Sequence, residues 1–245
     1  MMRGLQYQVH AVESVKSTNT TVKSLAKDGA PEGYVLVAAS QTNGRGRLNR
    51  VFFSPKGTGL YCSVLLRPTV SLSPAALTCM SAVAVSETID SFGIANQIKW
   101  VNDIYVDGNK AVGILTEGAF TPDGRYQYAV IGIGVNLFRP IDGFPENIKD
   151  TATSVFSETQ NDALKVEFLS RMLKRIQYHY ENLPKTDFLK LYRERQMVYG
   201  RSVLFSDAEG IKRGTAVGID DAFRLLVKTA DGTFHAVERG DISVL

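Results

Sequence analysis

Three arginines lie close together in a glycine-rich stretch of the chain. Residues 41–50 read QTNGRGRLNR and contain Arg45, Arg47 and Arg50. Glycines let backbone amides turn inward around an anion, and guanidinium groups are planar, permanently charged donors suited to carboxylate and phosphate oxygens. This glycine–arginine loop, residues 41–50, therefore predicts phosphate or carboxylate binding, with a solvated basic loop as the ordinary alternative. Its composition also predicts mobility.

Polar side chains cluster at further places, each with two possible roles. Hydroxyl and amide groups before a helix either cap it or hold a polar ligand. A lysine and an aspartate can grip a charged substrate and move a proton, or they can be a hairpin surface residue and a turn cap. Two glycines inside one strand indicate close approach of a ligand or a backbone. The clusters are Ser17-Thr18-Asn19, Lys99-Trp100-Val101-Asn102-Asp103, Lys110-x-x-Gly113 and Gly132-x-Gly134-x-Asn136.

The hydrophobic pattern places these clusters on alternating strands and helices. Cap residues predict one helix that begins within residues 17–20 and another at Ser73-Pro74, and helical spacing predicts two more at residues 163–182 and 187–197. Trp100 is expected to be a core residue. Apolar runs predict strands at residues 7–12, 34–39, 60–66, 97–100, 104–106, 111–115 and 126–135.

The hydrophobic pattern of the sequence changes towards the C-terminus. Residues 141–159 are polar and irregular, which predicts a surface connection. After the two later helices, short alternating strands are predicted at residues 202–205, 214–219, 223–228 and 233–237, with turn signals between them. This pattern predicts a small antiparallel barrel, and it divides the chain into one domain of residues 1–198 and a second of residues 199–245.

Composition narrows the class of protein. The chain has 245 residues, 44% of them hydrophobic, and its net charge of +3 is too balanced to indicate nucleic-acid binding across a broad face. The two cysteines, Cys62 and Cys79, and the three histidines show no disulfide or metal-binding spacing, so no metal ligands are predicted and both cysteines are expected to be buried. Without a membrane-length apolar run or a signal-peptide core, a reduced cytoplasmic setting is expected.

In this order and spacing, the polar clusters resemble those of the biotin protein ligases, also called biotin–[acetyl-CoA-carboxylase] ligases. The most specific markers are G-R-G-R-x-x-R followed by Phe53-Ser54-Pro55, the K-W-x-N-D run, and K-x-x-G-I-L at residues 110–115. The resemblance covers almost the whole chain. It implies an α+β fold, in which a mixed β-sheet backed by helices, of the class II synthetase and biotin ligase type, is followed by a small C-terminal SH3-like β-barrel.

The resemblance also implies a two-step reaction. Biotin and ATP, with Mg²⁺, first give biotinyl-5′-AMP and pyrophosphate, and the biotinyl group then passes to one lysine of a carboxylase biotin carrier domain. Adenylation turns a carboxylate into a mixed anhydride with a good leaving group, and charge builds up on the phosphates, so catalysis needs preorganised cations and amides. Biotin, ATP and the carrier protein are the expected partners, DNA and membranes are not, and monomer and homodimer both stay open.

Roles follow from the resemblance residue by residue. The catalytic group is Lys110, Arg45 and Asp103, where Lys110 resembles the lysine that grips the biotin carboxylate and the α-phosphate, and Asp103 is the candidate to accept the proton of the attacking lysine. Biotin binding is assigned to Ser17, Thr18, Asn19, Gln41, Gly44, Arg45, Gly46, Arg47, Lys110 and Gly113. Nucleotide binding is assigned to Arg45, Arg47, Arg50, Phe52, Lys99, Asn102, Asp103 and Asn136.

Two features depart from the family pattern. Val101 stands where the family usually has proline, but it removes no chemical group, so function is expected to survive. Only 16 residues precede Ser17, too few for the helix-turn-helix domain with which some members repress their own operon, so that role is not expected. The alternatives are a lipoate or octanoate ligase of related fold and a non-catalytic biotin sensor, and the intact loop, K-W-x-N-D run and Lys110 favour an active biotin ligase.

Overall fold

Two β-sheets organise the chain. The structure is a computed structural model and describes residues 4–70, 72–158, 160–183, 187–207, 210–238 and 242–244. A seven-stranded sheet, in which the first two strands are parallel and the rest antiparallel, carries the helices. A separate five-stranded antiparallel sheet follows at the C-terminus. This arrangement is the α+β class that the sequence predicts, and the predicted fold class is confirmed.

The large sheet has the strand order β1-β2-β3-β7-β6-β5-β4. The interior strand β3 is buried along its whole length, as its nearly continuous apolar sequence requires. Gly113 of β6 lies directly opposite Gly134 of β7, so two glycines form a flat patch on one face of the sheet. The strands are β1 (Gln8–Val15), β2 (Tyr34–Gln41), β3 (Gly59–Leu66), β4 (Gln97–Lys99), β5 (Asp103–Val106), β6 (Asn109–Phe120) and β7 (Tyr126–Asn136).

Among the described residues, four α-helices cover the two faces of this sheet. The helices are α1 (Thr18–Lys27), α2 (Pro74–Asp90), α3 (Asp162–Glu181) and α4 (Phe188–Glu194). Helix α2 begins where the sequence predicts, because the Ser73 side chain accepts a hydrogen bond from the Ala76 N–H and Pro74 has no N–H that would need an acceptor. Helices α2, α3 and α4 pack on one face around the main core, whereas α1 packs Val22 and Ala26 on the opposite face. None of the helices in the described part of the chain is long and apolar enough to cross a membrane.

The C-terminal sheet has the strand order β11-β10-β9-β8-β12. Its strands are β8 (Ser202–Asp207), β9 (Gly210–Ile219), β10 (Leu225–Lys228), β11 (Phe234–Val237) and β12 (Ser243–Val244), of which β12 is not predicted by the sequence. Over the described residues β11 and β12 are the two edges, so closure into a barrel is not seen there. Phe205, Ile219 and Leu225 join the same hydrophobic cluster as α2 and the large sheet, which ties the two sheets together.

Two predicted segments differ from the structure. Residues 141–158 contain no helix or strand, as predicted, but they are not merely a surface connection, because Lys110 N–H donates to Thr151 O (2.8 Å) and Val155 and Phe156 are buried. The helix predicted at residues 187–197 ends at Glu194, because the following backbone turns to pair with β4, where Ile98 donates to Arg195 O at 2.8 Å.

Candidate active site

The predicted site residues converge on one cavity of about 250 Å³. It lies on the α1 face of the large sheet, between the start of α1, the glycine–arginine loop, the β5–β6 hairpin and the segment around Thr151. All but two of the predicted residues line it. Those that do are Ser17, Thr18, Asn19, Gln41, Arg45, Gly46, Arg47, Arg50, Phe52, Asn102, Asp103, Lys110, Gly113 and Asn136.

Gly44 and Lys99 are the two predicted residues that do not line this cavity. Lys99 lies on the edge strand β4, where its ammonium is 5.8 Å from the Tyr105 ring centroid. Gly44 lies within the loop, where its carbonyl oxygen accepts a hydrogen bond from the Phe52 N–H at 2.9 Å. A Cβ at Gly44 would lie 2.4 Å from the Phe52 carbonyl oxygen, so only glycine fits there. Gly44 therefore shapes the loop, and a nucleotide contact by Lys99 stays a prediction.

Neutral polar groups form one end of the cavity, at the N-terminus of α1. The Thr18 N–H donates to Gln41 Oε1 at 2.9 Å, and Gln41 Nε2 donates to Ser54 Oγ at 2.9 Å. Ser17 occupies the N-cap position, yet its side chain makes no capping hydrogen bond. Capping alone therefore does not account for these side chains, and the arrangement presents fixed hydroxyl and amide groups to the cavity.

Glycines of β6 and β7 make room for protein side chains beside the cavity. A Cβ at Gly132 would lie 2.1 Å from Asn19 Oδ1, and one at Gly134 would lie 2.6 Å from the Phe52 ring. Asn19 is held by a hydrogen bond from its Nδ2 to Leu115 O (3.1 Å). The close approach that the two strand glycines predict is thus made by Asn19 and Phe52, which in turn line the cavity.

Charged groups form the other end of the cavity. The Lys110 ammonium lies 2.7 Å from Asp103 Oδ1, an ion pair across the β5–β6 hairpin whose geometry is not that of an aligned hydrogen bond. Arg47 donates to Asn102 Oδ1 at 2.8 Å, and Asn102 Nδ2 donates to Ile114 O at 2.9 Å. These contacts hold a lysine and an arginine at fixed positions on one side of the cavity.

The glycine–arginine loop folds as a short hairpin over the cavity. Gly46 N–H donates to Arg50 O at 2.7 Å, and Arg45 forms an isolated bridge with Val51. Leu48 and Asn49 adopt left-handed backbone conformations, with φ of 53° and 60°, which cost energy for residues other than glycine. The loop is thus held by its own hydrogen bonds, while its mobility stays a prediction.

The neighbouring K-W-x-N-D run is fixed from the core. Trp100 is buried, as predicted, and its Nε1 donates to Phe223 O (2.9 Å) of the C-terminal sheet. Tyr192 Oη donates to Val101 O at 2.9 Å, and the peptide bond between Trp100 and Val101 is cis. Asn102 and Asp103 therefore stand at the end of a segment that is anchored to α4 and to the C-terminal sheet.

Three polar residues that support the site are not predicted from the sequence as site residues. Ser54 holds Gln41, the Ser63 hydroxyl lies within hydrogen-bond distance of Thr18 Oγ1 (2.8 Å) and Asn19 Oδ1 (2.6 Å), and Glu117 binds Arg45. Ser54 stands inside the F-S-P marker. Ser63 and Glu117 are polar residues in mostly apolar strands, which is itself a signal, because buried polar groups need partners.

Family models match both parts of the chain. Residues 11–136 match the Biotin/lipoate A/B protein ligase family, and residues 198–245 match the Biotin protein ligase C terminal domain. The chain belongs to the biotin/lipoate A/B protein ligase family. The second match is to a domain of biotin protein ligases. The resemblance to biotin protein ligases that the sequence motifs indicate is therefore confirmed, and the chain is a ligase.

Relatives of this ligase support the assignment. The bifunctional ligase/repressor BirA of Bacillus spizizenii is 36% identical over 223 residues, which cover 89% of this chain and 68% of that protein. The biotin–[acetyl-CoA-carboxylase] ligase of Paracoccus denitrificans is 29% identical and is covered over 92% of its length. The solved biotin protein ligase from Aquifex aeolicus, in complex with biotin and ATP, has a TM-score of 0.79 at 29% identity, covering 97% of this chain and 98% of that one.

Proposed function

We propose that this ligase activates biotin with ATP to biotinyl-5′-AMP and pyrophosphate, and then transfers the biotinyl group to one lysine of a carboxylase biotin carrier domain. The observation that carries the proposal is the division of one cavity into a neutral polar end and a cationic end. Biotin has the same division, with a neutral ureido ring at one end and a carboxylate at the other. Solved relatives that hold biotin and ATP support the same reading.

The neutral end suits the ureido ring. That ring has one carbonyl acceptor and two N–H donors, and hydroxyls can serve either kind of group. Ser17, Thr18 and Gln41 line this end, and Thr18 and Gln41 are already held by each other and by Ser54. The proposed binding therefore needs little rearrangement of the protein, which favours affinity because side-chain ordering has been completed before the ligand arrives.

At the cationic end, adenylation takes place. The biotin carboxylate oxygen attacks the α-phosphorus of ATP, the bond to the β-phosphate oxygen breaks, and pyrophosphate leaves. Negative charge is concentrated on the phosphate oxygens, where Lys110 and Arg47 can hold it and Arg45 and Arg50 line the same cavity. The product is a mixed anhydride whose leaving group is AMP.

Transfer requires a neutral amine. The carrier lysine has an ordinary pKa of about 10.4, so it must lose a proton to attack the anhydride carbonyl. Asp103 lines the cavity at its cationic end, next to the Lys110 ammonium. We assign to Asp103 the acceptance of that proton, which leaves AMP as the second product and a new amide bond on the carrier.

Mg²⁺ is proposed as a companion of ATP and not as a resident ion of the protein. Within the described residues no group of three or more His, Cys, Asp or Glu side chains is placed to hold a metal ion. Mg²⁺ is commonly bound by substrate phosphates and one or two carboxylates. No step of the reaction is therefore assigned to a protein-bound metal ion.

The role of Asp103 is tested by separating the two steps. In Asp103→Asn, biotinyl-5′-AMP formation should survive, whereas transfer from preformed adenylate to a carrier domain should slow by roughly 10²–10⁴-fold, the usual contribution of a general base. Asp107→Asn is the matched control, because Asp107 lies in the β5–β6 turn with a φ of 49°, which asparagine tolerates well. Normal transfer by Asp103→Asn, measured in single-turnover mixing, would contradict the assignment.

A further inference from the structure

Glu117 collects three donors from two separate parts of the chain. Its carboxylate, on β6, has a side-chain exposure of 18%. Lys23 Nζ lies 2.7 Å from Oε1, Asn19 Nδ2 donates to Oε2 at 3.1 Å, and Arg45 NH1 lies 3.2 Å and 3.3 Å from the two oxygens. Two of these donors come from α1 and the third from the glycine–arginine loop. The carboxylate thus joins the loop to α1.

The surroundings of Glu117 favour its charged form. Burial by itself raises the pKa of this carboxyl, but hydrogen bonds from Lys23 and Asn19 and the charges of Lys23 and Arg45 outweigh it and bring the pKa below its ordinary value. The carboxylate is therefore ionised at neutral pH. Charged groups that share several partners and are partly withdrawn from water interact more strongly than exposed pairs, which are worth little.

The contact of Glu117 with Arg45 affects the whole glycine–arginine loop. Arg45 bridges to Val51 within the hairpin that covers the cavity, so holding the Arg45 side chain holds that hairpin. The contact uses NH1, and a guanidinium has five N–H donors, so Arg45 can bind Glu117 and an anionic ligand together. Asn19, the other cavity-lining partner of Glu117, binds the same carboxylate from the start of α1.

We propose that Glu117 is a positioning residue that latches the glycine–arginine loop over the cavity through Arg45 and thereby slows escape of the reactive adenylate. The second half of this inference rests on the proposed function, whereas the latch itself concerns the loop in the absence of any ligand. Retention matters chemically, because a mixed anhydride that leaves the site is exposed to hydrolysis before the carrier lysine reaches it.

The latch is tested first without ligands. Hydrogen exchange of the amides of residues 44–52, followed by mass spectrometry on the full-length protein, should be roughly fivefold faster in Glu117→Gln than in the unaltered protein. Lys23→Met should change this exchange less than Glu117→Gln does, because Lys23 binds Glu117 from α1 and leaves the contact between Glu117 and Arg45 in place. Glu167→Gln, which removes a surface pair with Arg171 on α3, controls for the loss of a carboxylate.

Three outcomes overturn the latch. Unchanged exchange in Glu117→Gln would do so, and so would equal acceleration in Lys23→Met, which would place the effect in helix packing. If Glu117→Gln does not fold, the unaltered protein still decides: exchange at residues 44–52 should rise between low salt and about 1 M salt relative to amides of α3, since salt screens the pair. The third outcome that would overturn the latch is hydrogen exchange at residues 44–52 that does not change with salt concentration.

Adenylate retention is tested next. The dissociation rate constant of preformed biotinyl-5′-AMP should rise roughly fivefold in Glu117→Gln, because the loop that covers the cavity is then held less firmly. Faster loop exchange without faster dissociation would confine Glu117 to loop structure and contradict the retention role. Absence of any adenylate with the unaltered protein would instead contradict the proposed function and leave the exchange result standing.

Discussion

At the scale of single residues, cations of the site already have acceptors on other parts of the chain. Lys110 pairs with Asp103, and Arg47 donates to Asn102. Arg45 is held by Glu117 in the same way. Side chains fixed before the ligand arrives need no reorganisation when charge develops, which is the condition for strong electrostatic catalysis. The acceptors are therefore as much a part of the site as the cations.

The two cysteines give a prediction at this scale that concerns their burial. Both are free and buried, as the sequence predicts, and burial raises the pKa of each thiol from 9.0 to about 12. The folded chain thus keeps both protons at pH 8. We expect no reaction with a thiol reagent at pH 8 in the native state and reaction of both thiols after denaturation.

The same shift has a consequence for stability. The unfolded chain releases these protons near pH 9, whereas the folded chain holds them to about pH 12, so folding stability should fall as the pH rises above 9. Denaturant titrations at pH 8 and pH 10 check the sign. Fast modification of the native protein at pH 8 would show that Cys62 or Cys79 is exposed.

Some site residues could be read from the sequence and others could not. Lys110 and Asp103 stand in markers with a fixed spacing, so the resemblance identifies them. Glu117 and Ser63 belong to no marker, and their importance depends on contacts with residues 72 and 44 positions away in the chain. Periodicity says that a polar residue in a strand needs a partner, but only the folded sheet says which one.

At the scale of elements, β7 is shaped by its glycines. In Gly132→Ala the new Cβ would meet Asn19 at 2.1 Å, so either the strand or Asn19 must move. We expect the free energy of unfolding to fall by about 1–3 kcal/mol, the usual cost of overpacking, and biotin affinity to fall because Asn19 lines the cavity. Denaturant titration and equilibrium binding measure the two effects.

Gly218→Ala is the matched control for Gly132→Ala. Gly218 lies inside β9, and a Cβ there would make an ordinary contact with Leu226 Cδ1 at 3.8 Å. Stability should be unchanged or slightly raised, because alanine restricts the unfolded chain more than glycine does. A loss in Gly218→Ala as large as that in Gly132→Ala would mean that the clash with Asn19 is not the cause.

Element boundaries were predictable where local chemistry sets them. The cap Ser73 and Pro74 fix the start of α2, and the alternating pattern identifies the strands. The segment around Thr151 is different, because its backbone pairs with Lys110 across a distance in sequence that no local signal records. Its role as a cavity wall therefore emerges only with the fold.

At the scale of the whole molecule, the C-terminal sheet is fastened to the site. Phe223, at the turn before β10, accepts the Trp100 Nε1–H, and its ring stacks on Phe188 at a centroid distance of 5.6 Å. Arg193 Nε donates to Ile219 O at 2.8 Å on the same side. The proposed boundary after residue 198 thus separates two sheets whose contact reaches the residues next to Asn102.

Trp100→Phe should expose this coupling. The change removes the N–H that Phe223 O accepts, so we expect the free energy of unfolding to fall by about 1–3 kcal/mol. The adenylation rate should also fall, because Asn102, two residues away, holds Arg47. Stopped-flow measurement of pyrophosphate release gives the rate.

Tyr180→Phe provides the comparison for Trp100→Phe. It removes another partly buried hydrogen bond, from Tyr180 Oη to Glu32 Oε1 at 2.7 Å, which lies away from the cavity. This variant should lose stability without losing adenylation rate. An adenylation rate that is equally affected in both variants, or in neither, would contradict a specific coupling through Trp100.

The most direct test of the central claim is a single-turnover assay on the purified protein. The protein is mixed with ATP, Mg²⁺ and either biotin or lipoate, and a biotin carrier domain is added afterwards, with both products followed by mass spectrometry. With biotin, we predict biotinyl-5′-AMP and then one biotinyl group on the carrier. With lipoate, we predict neither lipoyl-AMP nor a lipoylated carrier. Lipoyl transfer alone, or biotin binding without ATP turnover, would contradict the account.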